Sequence, residues 1–159
     1  MHMTNEKFMR VALDEAHAGV DGGDGGPFGA VIVKNEKISA QAHNTVLKDH
    51  DPTQHAEIKA ISEASRKLGN HDLSGCEIYT TTEPCTMCFS AIHWAKIDRL
   101  IYGTTINDVQ RLGFNELPIP AEKMKELASS PVKIESGFMK DECLKLLDHW
   151  KSLPEKKTY

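Results

Sequence analysis

The chain has 159 residues, 40% hydrophobic and 26% charged, with a formal net charge of −4. These values suit one globular domain over 1–159 and exclude disorder, collagen-like repeats and a disulfide-packed miniature. No apolar run approaches the about 18 residues of a membrane helix, and the mildly acidic balance speaks against a general nucleic-acid binder.

In chain order, Phe8, Val11, Ala12, Ala16 and Val20 fall at helical spacing, predicting a helix over roughly 5–20 with Thr4 placed to cap it. The run Asp21-Gly-Gly-Asp-Gly-Gly-Pro27 stops it. Phe28 to Val33 reads as a buried strand, Asn35-Glu36 as a turn, and Lys37 to Asn44 as the second strand of a hairpin. Asp51-Pro-Thr53 is a helix entry, followed by a helix over about 54–68 that ends at Gly69-Asn70. Glu77 to Thr81 is a third strand, Pro84 opens a helix to about Ala95, and Arg99 to Thr105 is a fourth strand. Residues 106–120 read as loop with turns, Glu122 to Ala128 as a short helix, Val132 to Gly137 as a fifth strand, and Lys140 to Trp150 as a last helix before a polar tail. Strands alternating with helices predict an α/β fold with a sheet covered on both faces, its first pair antiparallel and its later pairs parallel.

Residues 1–20 carry charges throughout and lack the apolar centre of a signal peptide, so the expected compartment is the cytoplasm. Met1-His2-Met3 carries a second Met just before Thr4, and His2 is left out of any site. In a reducing compartment a close cysteine pair is more often a metal or redox site than a disulfide. Cys76 and Cys143 read as small core residues.

The sharpest pattern is His55-Ala56-Glu57, followed 27 residues later by Pro84-Cys85-Thr86-Met87-Cys88. Both pieces sit at predicted helix starts. Cys85 and Cys88 are i and i+3 and share a helix face, and helix N-termini favour thiolates. One imidazole and two thiolates form a zinc donor set. Three protein ligands leave a fourth position for water, the pattern of a catalytic rather than a structural zinc, and lower that water's pKa towards ~7. Glu57 shares an apolar stripe with Ile61, Ala64 and Leu68, where a carboxylate needs a partner or a job; beside an activated water it can shuttle protons. Singly, CxxC can be a redox pair, His55 a packing histidine and Glu57 a solvated residue. Jointly, HxE and PCxxC at two helix starts make coincidence a poor account.

This HxE…PCxxC pattern resembles the cytidine deaminase-like zinc deaminases. Within them the chain is most similar to the bacterial guanine deaminases, through Gly26 to Val33, His43-Asn44, Asp51 to Glu57, Thr82 to Cys88, Ala91 to Ala95, Gly113-Phe114 and the terminal Lys-Lys-Thr-Tyr159. The resemblance implies a three-layer α/β/α sandwich around a five-stranded mixed sheet. It implies hydrolytic deamination of guanine to xanthine and ammonia with one Zn²⁺ per subunit. Glu57 becomes the proton shuttle, with Asn44, Phe28, Ala56, Trp94, Glu116 and Tyr159 around the base. It also implies a homodimer in which the C-terminal helix and tail, 140–159, are exchanged between subunits. One departure stands out. The family carries an acidic pair after Gly-Phe whose second Asp reads guanine, where this chain has Asn115-Glu116. Either Glu116 takes that place with a longer reach, or the pocket serves another amino-substituted ring. The alternatives are a cytosine or other nucleobase or nucleoside deaminase, a tRNA adenosine deaminase, and a zinc-stabilised binding module without turnover. The acidic balance opposes the tRNA enzyme.

Overall fold

Asn35 and Glu36 both adopt positive φ, 49° and 61°, the conformation that a two-residue hairpin turn requires. They join β1 (Gly29–Lys34) to β2 (Lys37–His43), which pair antiparallel. The computed structural model describes residues 3–159, so His2 lies outside the described residues. Before the hairpin comes α1 (Glu6–Asp21). After it come α2 (Val46–Asp49), α3 (Ala56–Leu68), β3 (Cys76–Thr82), α4 (Thr86–Trp94), β4 (Arg99–Thr104), α5 (Ile106–Gln110), α6 (Ala121–Ala128), β5 (Lys133–Glu135) and α7 (Lys140–Ser152).

The strands form one mixed sheet in the order β2-β1-β3-β4-β5. β1 pairs antiparallel with both β2 and β3, while β3–β4 and β4–β5 are parallel. Side chains alternate across it with the period of two that a strand imposes. Ala30, Ile32, Ile78 and Leu100 enter the core under α3, α4 and α6, whereas Val31, Val33, Tyr79 and Ile101 enter the core under α1 and α7. The result is the three-layer α/β/α sandwich with a five-stranded mixed sheet that the resemblance implied. Both faces are covered, which is why β1 reads as a continuous apolar run.

Several local expectations need correction. Asn5, not Thr4, caps α1: its Oδ1 accepts from the Lys7 amide at 3.0 Å. Thr4 instead accepts from Arg99 Nη2 at 2.8 Å and donates to Glu135. Residues 46–49 form the short α2. The segment after β4, expected as loop, holds α5, because Thr105 and Asp108 make a reciprocal capping box. The fifth strand is shorter than expected, at Lys133–Glu135. On α3 the buried residues are Ala56, Glu57, Ala60 and Ala64; Leu68 is 37% exposed at the helix end.

Candidate active site

Two helix starts are aimed at one point. The chain enters α3 through an Asx turn, in which Asp51 Oδ1 accepts from the Thr53 amide at 2.8 Å and from its hydroxyl at 2.7 Å. That turn delivers His55 to the N-cap, where extended backbone (φ −71°, ψ 154°) and the lack of a side-chain cap bond leave the imidazole available. Pro84 does the same for α4, leaving Cys85 at its N-cap, extended and without a capping bond, with Cys88 buried in the first turn.

His55 Nδ1 lies 3.6 Å from Cys85 Sγ and 3.5 Å from Cys88 Sγ. Zinc bonds of about 2.1 Å to nitrogen and about 2.3 Å to sulfur, at a tetrahedral angle, put N and S about 3.6 Å apart. The three donor atoms all lie within 4.8 Å of one another. The donor set and its spacing therefore fit zinc, with one imidazole nitrogen facing both sulfurs. In the metal-free chain only Cys85 leans toward its metal-binding form. A hydrogen bond from Cys88, with His55 adding its own, pulls the Cys85 thiol down to about 4. Cys88 moves the other way, because it donates to Cys85 and is buried. Burial opposes a charge on His55, but the Cys85 hydrogen bond and the Glu57 carboxylate outweigh it and raise its pKa. Thiolate and neutral imidazole are the forms a metal binds, so zinc takes the place of the shared protons.

Beside these ligands opens a cavity of about 330 Å³. Glu57, in the first turn of α3, is 7% exposed and lines it. Burial first, and the Cys85 charge second, raise its pKa. Glu116 faces the same space, and burial, with the Cys85 charge added, lifts it to about 7. Aromatic rings wall the far side. Phe28 meets Phe114 edge-on at 5.3 Å, and Phe114 meets Tyr159 at 5.1 Å. The tail is tied down by two bonds: the Gly26 amide to Tyr159 Oη at 3.1 Å, and the Asn115 amide to the Tyr159 main-chain oxygen at 2.9 Å.

The other expected contacts are placed differently. Asn44 is fully buried beside the cavity rather than lining it. Its Oδ1 accepts from the Val46 amide at 3.0 Å, and its Nδ2 faces the Tyr159 hydroxyl, which leaves at least one of its two N–H donors unpaired. A buried amide with one uncommitted donor has capacity for a ligand acceptor. The Ala56 side chain belongs to the core, so this residue offers only its amide at the helix start. Trp94 is not brought to the cavity of its own chain: it is 81% exposed at the far end of α4. Nine residues at about 1.5 Å each carry it about 13 Å from the metal-ligating end. His43 is also away from the cavity rim, held by Glu15 and Asp24.

The sequence reading missed Glu83. It is 7% exposed, lines the cavity, and accepts from the Ile106 amide at 3.0 Å and the Ala121 amide at 2.8 Å. A carboxylate next to the Pro-Cys motif was the available signal, but its partners lie 23 and 38 residues away.

Residues 2–104 match the family described as the cytidine and deoxycytidylate deaminase zinc-binding region. The chain is 38% identical over 157 residues to guanine deaminase of Bacillus subtilis, across 99% of this chain and 100% of that one. It is 46% identical over 100 residues to the tRNA-specific adenosine deaminase of Aquifex aeolicus, across 63% of this chain and 66% of that one. The solved structure of guanine deaminase from Nitrosomonas europaea superposes with a TM-score of 0.85 at 31% identity, over 96% of this chain and 87% of that one. The family match spans His55, Glu57, Cys85 and Cys88, and with the geometry above it shows that the chain belongs to the cytidine and deoxycytidylate deaminase zinc-binding family.

Proposed function

We propose that the chain hydrolyses guanine to xanthine and ammonia. One observation carries this reading. Similarity to a guanine deaminase spans 99% of this chain and 100% of that one, so it takes in the cavity wall at Phe114–Glu116, whereas tRNA-specific adenosine deaminases match over 60% to 90% of this chain. Among the described residues no helix is long and apolar enough to cross a membrane.

His55, Cys85 and Cys88 would hold one zinc per chain, which when bound would supply a water acidified towards neutral pH as the nucleophile. Glu57 takes a proton from that water and delivers it to the ring nitrogen next to the amine-bearing carbon. It then takes the remaining proton from the hydroxyl now on that carbon and passes it to the departing amine. A carbon–oxygen bond forms, a carbon–nitrogen bond breaks, and one water is consumed for each ammonia released. The raised pKa of Glu57 suits both halves of this traffic. Phe28 and Tyr159 bound the base, the free donor of Asn44 meets a ring acceptor, and Glu116 accepts from the ring in the place of the family's Asp. A base lacking those groups leaves buried polar atoms unpaired, which is a strong source of discrimination.

The reading extends to a cytoplasmic homodimer. The large exposed apolar side chains Trp94, Leu127 and Leu117 supply material for such a contact, at 81%, 73% and 60% exposure. Tyr159 here closes the cavity of its own chain. Exchange of 140–159 between two copies delivers one such tyrosine to each cavity all the same.

The test is ammonia release from guanine, cytosine, adenine, guanosine, cytidine and a tRNA anticodon loop, with zinc measured on the same sample. Preference for guanine is the expected result. Turnover confined to another base, or to the RNA, overturns the guanine assignment; bound zinc with no turnover overturns deamination altogether.

A further inference from the structure

Away from the metal ligands, His43 stands between two carboxylates. Its Nδ1 is 2.9 Å from Glu15 Oε1 on α1, and its Nε2 is 2.8 Å from Asp24 Oδ2 in the turn that follows α1. Glu15 is steadied from its other oxygen by Gln41 Nε2 at 3.0 Å. The ring lies flush against the α1 backbone: a Cβ at Gly19 would sit 2.5 Å from His43 Cδ2. Each ring nitrogen thus has a carboxylate oxygen within hydrogen-bond distance, so the ring bridges α1 and the turn.

What this pin holds is the least constrained part of the site. The turn 22–27 contains four glycines, whose backbones have much freedom to lose. Asp24 is its one ionisable side chain. The Asp24 amide donates to the Gly19 oxygen at 2.9 Å, and its own carbonyl accepts from Leu47 and Lys48 at 3.1 and 2.9 Å. The next two residues pack against side chains at the pocket. A Cβ at Gly25 would fall 2.1 Å from Asn44 Oδ1, and one at Gly26 would fall 2.5 Å from the Phe28 ring. The Gly26 amide also donates to Tyr159 Oη.

We infer that His43 is a positioning residue for base recognition: by tying Asp24 to Glu15 it fixes the Gly25–Gly26 backbone against which Asn44, Phe28 and Tyr159 are set. The inference rests on the reading of those three residues as base contacts. His43 touches neither the base nor the metal ligands. It acts through the backbone of the turn and through Asn44, its neighbour in the chain.

Two measurements on the zinc-loaded protein test it. The first, amide hydrogen exchange, needs no substrate. In His43→Ala and Asp24→Asn the amides of Gly25, Gly26, Leu47 and Lys48 are expected to exchange at least about tenfold faster, while the starts of α3 and α4 keep their protection. Unchanged exchange at the turn overturns the inference. The second is steady-state kinetics with guanine. KM is expected to rise about tenfold with kcat held within about twofold and zinc content unchanged; His43→Gln, which keeps one donor, falls between. A lowered melting temperature with unchanged KM, or a fall in kcat alone, overturns it. Where His43→Ala does not fold, Asp24→Asn and His43→Gln carry the same comparison. Wild-type protein inactive on guanine overturns the guanine assignment instead, and the exchange result then decides whether His43 holds the turn.

Discussion

Glu57 and Glu116 are two carboxylates in one cavity, and they answer different tests. Glu57→Gln keeps the volume and removes the proton shuttle. It is expected to retain zinc, read by metal analysis, and to lose about 10²–10⁴ in kcat, the usual weight of a general acid–base group. Glu116 is read through pH. Its pKa in the folded, metal-free chain is raised from 4.5 to about 7 by burial and by the Cys85 charge. A raised acid pKa means the folded state favours the protonated form. The associated stability is full below about pH 4.5 and is lost as pH climbs through about 7. Set against Glu116→Gln, the melting temperature of the metal-free wild type should therefore decline across that window, the opposite pull of the Cys85 thiolate being common to both proteins. An identical decline in both proteins assigns it elsewhere.

At the scale of elements, Glu83 joins the N-termini of α5 and α6 from the end of β3. Replacing it with Ala strands two buried amides, each costing about 1–3 kcal/mol. The expected loss is about 3 kcal/mol by denaturant unfolding, with exchange quickened over 105–121 and zinc affinity preserved. Glu83→Gln, which keeps one acceptor oxygen, should lose about half as much. This junction also shows what the sequence disclosed and what it withheld. β1 was legible because burial on both faces leaves a continuous apolar run, β3 and β4 because β-branched and aromatic residues cluster in them, and the hairpin because Asn35-Glu36 separates two strand-like segments. The metal ligands were legible because i,i+3 cysteines after a proline and an HxE at a helix entry are local patterns with few other uses. α5 was hidden because its stability comes from a single capping box and from Glu83, a partner distant in sequence. Trp94 was assigned to the pocket from resemblance, and nothing local in α4 states which end of a nine-residue helix a side chain serves. Asn44 was named from resemblance; its uncommitted donor follows only from the packing of Gly25 and Val46 around it.

At the scale of the whole molecule, residues far apart in the chain share one enclosure. Tyr159 closes a cavity whose metal-ligating end is built from 55 to 88. Removing residues 157–159 opens the aromatic wall without touching the ligands, so KM for the base should rise at least about tenfold with zinc content unchanged; equal KM removes the tail from base binding. Assembly is checked by sedimentation. A dimer mass in the wild type that shifts to monomer in Leu127→Asp identifies the exposed apolar face as the contact, and a monomeric wild type removes the dimer.

The four free cysteines lie far apart on the acidity scale. Cys85 sits at about 4, while burial pushes Cys76 and Cys88 up and Cys143 to about 12. Stripped of its cation, the protein exposes one thiolate of this kind at neutral pH, and thiolates are what electrophiles and peroxide attack. Zinc thus shields the cysteine it uses, and one equivalent of alkylation at Cys85 becomes a gauge of metal lost from a stored sample.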